Sequence, residues 1–206
     1  QNNIDAPTSF FDMWKPEYRG RVTIPQFSST FAFITLAETD RLMGGSPDGS
    51  FDKGFEKLKE LKPNISSFVG PAGQYIQLFQ QKEIWLTHGA HFTALQASNA
   101  GLPIVWKLPD EGAVAVAHYL GVPENAPNID ETYQLIELML SPEYQQQVAM
   151  SDFMGPVNER TELDADFAAT FPLTSEAVRN AAQVPWAAYG RDRIQLGERW
   201  QREIQS

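Results

Sequence analysis

Three short apolar runs, each leading through a tight polar turn into a helical stretch, constrain this chain more than any other feature. Residues 21–25, Arg-Val-Thr-Ile-Pro, read as a strand that Pro25 must end, because proline brings no N–H to a ladder. Ser28 and Ser29 then offer caps for a helix over 30–43, which Gly44-Gly45 closes. The pattern recurs at 65–69, with a Gly-Pro-Ala-Gly turn and a helix over 74–81. It recurs again at 83–87, followed by a helix over 92–99 and a returning strand at 102–108. Strand–helix alternation with short connections predicts an α/β sandwich with a mainly parallel sheet. Between the first two runs, Phe51, Phe55, Leu58 and Leu61 share one face of an amphipathic helix that Lys62-Pro63-Asn64 stops.

The flanks are less regular. Thr8 or Ser9 caps a short helix reaching Trp14, with Asp12 near the capping-box position. Residues 113–122 read as extended, and 130–140 and 142–150 as helices. Between those helices Ser141-Pro142-Glu143 supplies a cap, an N1 proline and a dipole-favoured acid. Further helical patches fall at 175–183 and 191–204.

Twenty-six acidic residues against sixteen basic ones give a net charge of −10, which argues against a nucleic-acid partner and against adsorption to anionic lipid. No apolar stretch approaches the ~20 residues needed to span a bilayer, so direct membrane insertion is not expected. Cysteine is absent, which removes disulfides, thiolate metal sites and a Cys nucleophile together. The first residues have neither the basic nor the apolar region of a signal peptide, so a signal has been removed or the chain begins partway through a longer protein. There is no Gly-x-Ser-x-Gly elbow, no His-Glu-x-x-His and no phosphate-binding glycine loop. No catalytic residue, metal site or cofactor is therefore expected.

Several stretches in order resemble the solute-binding proteins of ABC importers, in the group that includes the spermidine/putrescine receptors. They are Phe11-Asp12-Met13-Trp14-Lys15-Pro16-Glu17-Tyr18-Arg19-Gly20-Arg21-Val22, Leu58-Lys59-Glu60-Leu61-Lys62-Pro63-Asn64-Ile65, Ala100-Gly101-Leu102-Pro103-Ile104, Pro109-Asp110-Glu111-Gly112, Leu138-Met139-Leu140-Ser141-Pro142-Glu143-Tyr144-Gln145 and Gly155-Pro156-Val157-Asn158. The resemblance implies a type II periplasmic-binding-protein fold of two α/β lobes that close on a ligand and then meet a membrane permease. On that pattern residues 8–110 and 157–206 form the second lobe. Residues 112–156 are the returning segment of the first, whose remainder lies upstream of Gln1. The returning segment would then lack its sheet, and the apolar faces of its helices would pair with a missing segment or with another copy of the chain.

The turn at 26–30 ends a strand and opens a helix, where free N–H groups and hydroxyls face the family's cleft. Phe27, Ser28, Ser29 and Thr30 are candidate ligand contacts there. Polyamine receptors carry carboxylates in this turn, whereas Phe27 and Thr30 are uncharged. His88-Gly89-Ala90-His91 lies near another strand end, and on the family pattern His118 falls near a cleft acid of the polyamine receptors. His91 and His118 are therefore candidate contacts to a carboxylate ligand. Glu111 fits a hinge or structural role, Asn158 a mostly structural one, and Trp85, Trp106, Trp186 and Trp200 mostly core positions.

These readings lead to a periplasmic receptor that captures a small polar organic solute bearing a carboxylate and delivers it to an ABC permease. A polyamine receptor or a ferric-ion receptor of the same family is the alternative. An enzyme or the sensor lobe of a regulator is the rival from another class.

Overall fold

A computed structural model describes residues 5–46, 49–70, 72–112, 114–170 and 180–206. The chain divides into a larger unit, residues 1–115 with 181–206, and a smaller one, residues 116–180.

In the larger unit β1 (Val22–Pro25), β2 (Ile65–Val69) and β3 (Leu86–Thr87) form a parallel sheet in the order β2-β1-β3. Val22 lies between Ile65 and Leu86, and Thr23 between Ser67 and Thr87. Side-chain bonds reinforce the ladder. Thr23 Oγ1 donates to the Ser67 carbonyl at 2.8 Å, and Thr87 Oγ1 to the Thr23 carbonyl at 2.9 Å. Each strand leads toward a helix: β1 to α1 (Thr30–Leu42), β2 to α3 (Ala72–Gln80) and β3 to α4 (His91–Asn99). Helix α2 (Asp52–Leu61) sits between the first two strand–helix pairs.

Helix α2 shows why the apolar stripe matters. Phe55, Leu58 and Leu61 have no exposed surface and Phe51 almost none, so each contributes on the order of 1.5–3 kcal/mol by burial. They pack with Phe33 and Leu36 of α1 and with Leu196, Trp200 and Ile204 of the C-terminal helix α8 (Trp186–Trp200) and its π-helical end Gln201–Gln205. Helices α1 and α2 approach closely at Gly54. A Cβ there would lie 2.8 Å from the Leu36 carbonyl oxygen and 2.9 Å from Asp40 Cβ. Asp40, itself buried, accepts the Gly54 N–H at 2.9 Å and so ties the end of α1 to the first turn of α2.

The smaller unit is built differently. Its helices are α5 (Ile129–Met139), α6 (Pro142–Asp152) and α7 (Ala165–Thr170), and side-chain bonds to main-chain carbonyls tie α6 and the segment after it to the end of α5 and to Glu162. Gln145 donates to Met139, Asn158 to Leu140 and Gln146 to Glu162, each at 2.7 Å. Ser141 caps α6 as its Ser-Pro-Glu sequence predicts. Among its described hydrophobic residues only Ala149 and Phe153 are buried, and α5 buries none.

Two expected strands differ. Residues 102–108 are irregular rather than a strand. Pro103 lacks a donor, Ile104 N–H turns back onto the Leu102 carbonyl at 2.7 Å, and β3 is only two residues long. Of the expected 113–122 extension, the described part carries a single bridge, Val114 to Ala182. The helical patch expected at 175–183 falls largely outside the described residues.

Candidate functional site

Because every strand of the sheet runs the same way, all three strand-to-helix turns reach its carboxyl edge. There an open α/β sheet leaves a crevice for ligands. At the first turn, Gln26 N–H extends the ladder by donating to the Val69 carbonyl at 2.9 Å, and Ser29 N–H donates to the Gln26 carbonyl at 2.9 Å. Ser29 is the N-cap of α1, its hydroxyl accepting the Phe31 N–H at 3.3 Å. Ser28 and Thr30 are exposed beside it.

At the second turn Gly70 N–H donates to the Gln74 side-chain oxygen at 3.2 Å. A Cβ on Gly70 would stand 2.4 Å from Gln26 Nε2, so only glycine lets the Gln26 amide lie across this turn. Gln26 thereby bridges the first two turns.

The third turn holds both histidines of the His-Gly-Ala-His stretch, in different roles. His88 Nδ1 lies 2.9 Å from Thr35 Oγ1, and the Thr35 hydroxyl donates to the Phe31 carbonyl at 2.9 Å. The hydroxyl proton is committed, so His88 Nδ1–H is the donor to Thr35 and the ring is neutral. Burial pushes its pKa down to about 4, against a weaker opposing pull from Glu38. The edge of the ring meets Phe10 at 5.1 Å between centroids. His88 is thus an internal strut between β3 and α1. His91, by contrast, is the first residue of α4, with its ring near Phe92 at 5.9 Å and Trp106 at 6.2 Å.

The six candidate residues separate accordingly. Ser28, Ser29, Thr30 and His91 share the carboxyl edge of one sheet. Phe27 belongs to the same turn but packs toward the core, 5.6 Å from the Trp200 ring and 6.4 Å from Tyr189, with its ring 3.1 Å from where a Gly197 Cβ would stand. His118 is exposed in the smaller unit. Gln26 was legible only as part of its turn, and Gln74 went unread; a Gly-Pro-Ala-Gly-Gln run directly after a strand was the available signal.

Charge is notable by where it falls. The turns at 26–30, 70–74 and 88–92 contain no Asp, Glu, Lys or Arg. Elsewhere in the larger unit, Glu38 forms a two-pronged pair with Arg41 at 2.7 and 2.9 Å. Among the described residues, no three His, Asp or Glu side chains group as metal ligands would. No helix among them is long and apolar enough to cross a membrane.

Residues 1–177 match the family model for bacterial extracellular solute-binding proteins. The chain belongs to that family, whose members bind solutes rather than catalyse reactions. The spermidine/putrescine-binding periplasmic protein of Escherichia coli (strain K12) is 30% identical over 145 residues, which is 69% of this chain and 40% of that protein. An ABC transporter protein from Clostridium perfringens superposes with a TM-score of 0.78 at 21% identity, over 97% of this chain and 63% of that one. The binding protein AttC from Agrobacterium tumefaciens C58, in an open unliganded conformation, gives 0.77 at 22% identity, over 99% and 64%. The fold is therefore that of type II periplasmic binding proteins, and the chain spans less than two thirds of its relatives' length.

Proposed function

We propose that this chain supplies the second lobe, and a returning piece of the first, of a periplasmic receptor that captures a small polar organic solute and hands it to an ABC permease. The remainder of the first lobe corresponds to the part of its relatives that this chain does not span. The ligand sits against the carboxyl edge of the sheet, contacted by Ser28, Ser29, Thr30 and His91, and His118 of the returning piece is a further contact.

The observation that carries the ligand class is the charge-free character of the three turns, beside the N-termini of α1 and α4. A polycation needs carboxylates to replace its water, and these turns have none to offer. Helix N-terminal N–H groups, hydroxyls and an imidazole instead suit a carboxylate. An amino-acid-like or opine-like molecule fits this chemistry. The test is calorimetric titration of the full-length receptor with glutamate, octopine, putrescine and spermidine. Micromolar binding of glutamate or octopine supports the assignment, and micromolar binding of either polyamine ends it.

The second reading is a polyamine receptor. It is favoured by the 30% identity to the Escherichia coli spermidine/putrescine-binding protein, and it would require the carboxylates to come from the part of the receptor outside this chain.

A further inference from the structure

Glu111 stands five residues before the chain passes into the smaller unit, and its side chain reaches back to the N-terminal Ser9–Phe10 stretch. One carboxylate oxygen accepts the Ser9 hydroxyl and the other accepts the Phe10 N–H at 3.0 Å. Alongside, Asp110 N–H donates to the Thr8 carbonyl at 2.8 Å. This completes the N-terminus of the Phe10–Trp14 turn. Thr8 and Ser9 N–H groups go to Asp12 Oδ2 at 2.8 and 3.2 Å, Phe11 N–H goes to Ser9 Oγ at 3.1 Å, and the Phe10 N–H is left for Glu111. The remaining bond is thus supplied from 101 residues away.

Beyond Glu111 the chain is built for a change of direction. Gly112 has φ +90°, a conformation that side chains resist, and its N–H closes a turn onto the Pro109 carbonyl at 2.9 Å. Val114 then bridges Ala182, where the chain has returned, and Ala115 N–H reaches the Ala182 carbonyl at 3.4 Å. Around this junction lies a cavity of about 150 Å³ lined by Val114, Gln183, Val184 and Pro185 with Glu38 and Asp40 of α1.

We infer that Glu111 is a positioning residue. It locks the chain at Thr8–Phe10 in register with the chain at Asp110–Gly112, so that flexing between the units is confined to the connections beyond Gly112. The role rests on the receptor reading for its purpose, since a solute receptor must bend at its connections while its lobes stay rigid. The structural claim is independent of any ligand.

Hydrogen exchange followed by mass spectrometry on the 206-residue chain tests it, with Glu111→Ala, Glu111→Gln and Ser9→Ala. Expected is a rise of about tenfold in exchange around Phe10 and Asp110 for Glu111→Ala, with the β1 amides of Thr23 and Ile24 changed less than about twofold. Glu111→Gln keeps one acceptor oxygen and is expected to fall between wild type and Glu111→Ala. Ser9→Ala, which leaves the Phe10 N–H bonded, gives the smallest rise. Elastase, which cuts after small apolar residues, is expected to cleave between Gly112 and Ala117 faster in Glu111→Ala. Unchanged exchange at Phe10 and Asp110 overturns the inference, and so does an equal rise in β1, which would mean that Glu111 only adds global stability. Neither readout needs a ligand, so failure of the solute assignment leaves the test intact.

Discussion

The two units of this chain answer the same physical problem in opposite ways. The larger buries its apolar stripes against one another and keeps acids and bases nearly balanced. The smaller holds eleven acidic residues and two basic ones and leaves Tyr133, Leu135, Leu138 and Met150 about half exposed. Its helices are sound by local rules, with Ser141 capping α6 and Gln145 and Asn158 closing loop carbonyls. Among the described residues their apolar side chains are mostly half-buried or exposed. Among its described apolar residues α5 half-buries Ile136 and Met139 and exposes Ile129, Tyr133, Leu135 and Leu138, a face of the kind that a further apolar surface completes. The like charge on α5, Asp130, Glu131 and Glu137 without a base, opposes a second copy of the same face as that completion.

A pair of identical substitutions tests this contrast most directly. Leu58→Ala on α2 removes a side chain with no exposed surface and is expected to cost about 2–5 kcal/mol. Leu138→Ala on α5 removes one that is 59% exposed and is expected to stay within about 0.5 kcal/mol. Urea denaturation of both variants measures the difference. Equal costs would mean that α5 is covered in solution.

Gly54→Val probes the close packing of the larger unit. The branched side chain meets the Leu36 carbonyl and Asp40 where the α1–α2 crossing leaves no room, and a loss of about 1–3 kcal/mol in the same denaturation is expected. Next in size, Ser29→Ala removes the α1 cap and is expected to cost about 1 kcal/mol. In the receptor it would also weaken solute binding, because Ser29 has both roles under the proposed function.

Much of this was legible in the sequence, for identifiable reasons. The β1–α1 and β2–α3 pairs and helix α2 were marked by local signals that tertiary structure had no cause to override: proline at a strand end, serine at a cap, a stripe of four apolar residues. The capping box of Ser9 and Asp12 was likewise written in three-residue spacing. The 102–108 segment was not legible, because apolar content calls for a strand only if a neighbour offers a ladder, and β3 offers two residues. Nor was the separation of His88 from His91. Two histidines three apart after a strand look alike in sequence, and only the turn of the chain sends one to Thr35 and the other to the start of α4.

The last test turns on that half-buried imidazole, which has no counterpart in the smaller unit, where His118 is exposed. His88 holds its proton less tightly folded than unfolded, its pKa falling from 6.5 to about 4. The unfolded chain therefore gains a proton first as pH drops, and stability falls with pH between those two values. Asp12 and Glu111 act in a lower window. Burial alone would raise both carboxyls, but the Lys15, Thr8 and Ser9 bonds to Asp12 and the Ser9 and Phe10 bonds to Glu111 outweigh it and hold them below the ordinary range. Their stabilisation is present above the ordinary carboxylate values and is lost as pH falls through their lowered ones. Asp40 runs the other way, since burial raises it and acid relieves a charge held away from water. Melting temperatures of wild type and His88→Gln from pH 7 to pH 3 separate these contributions. The variant is expected to lose the decline between about 6.5 and 4 and keep the steeper one below it. Parallel curves would mean that the ring titrates freely and that His88 does not join β3 to α1.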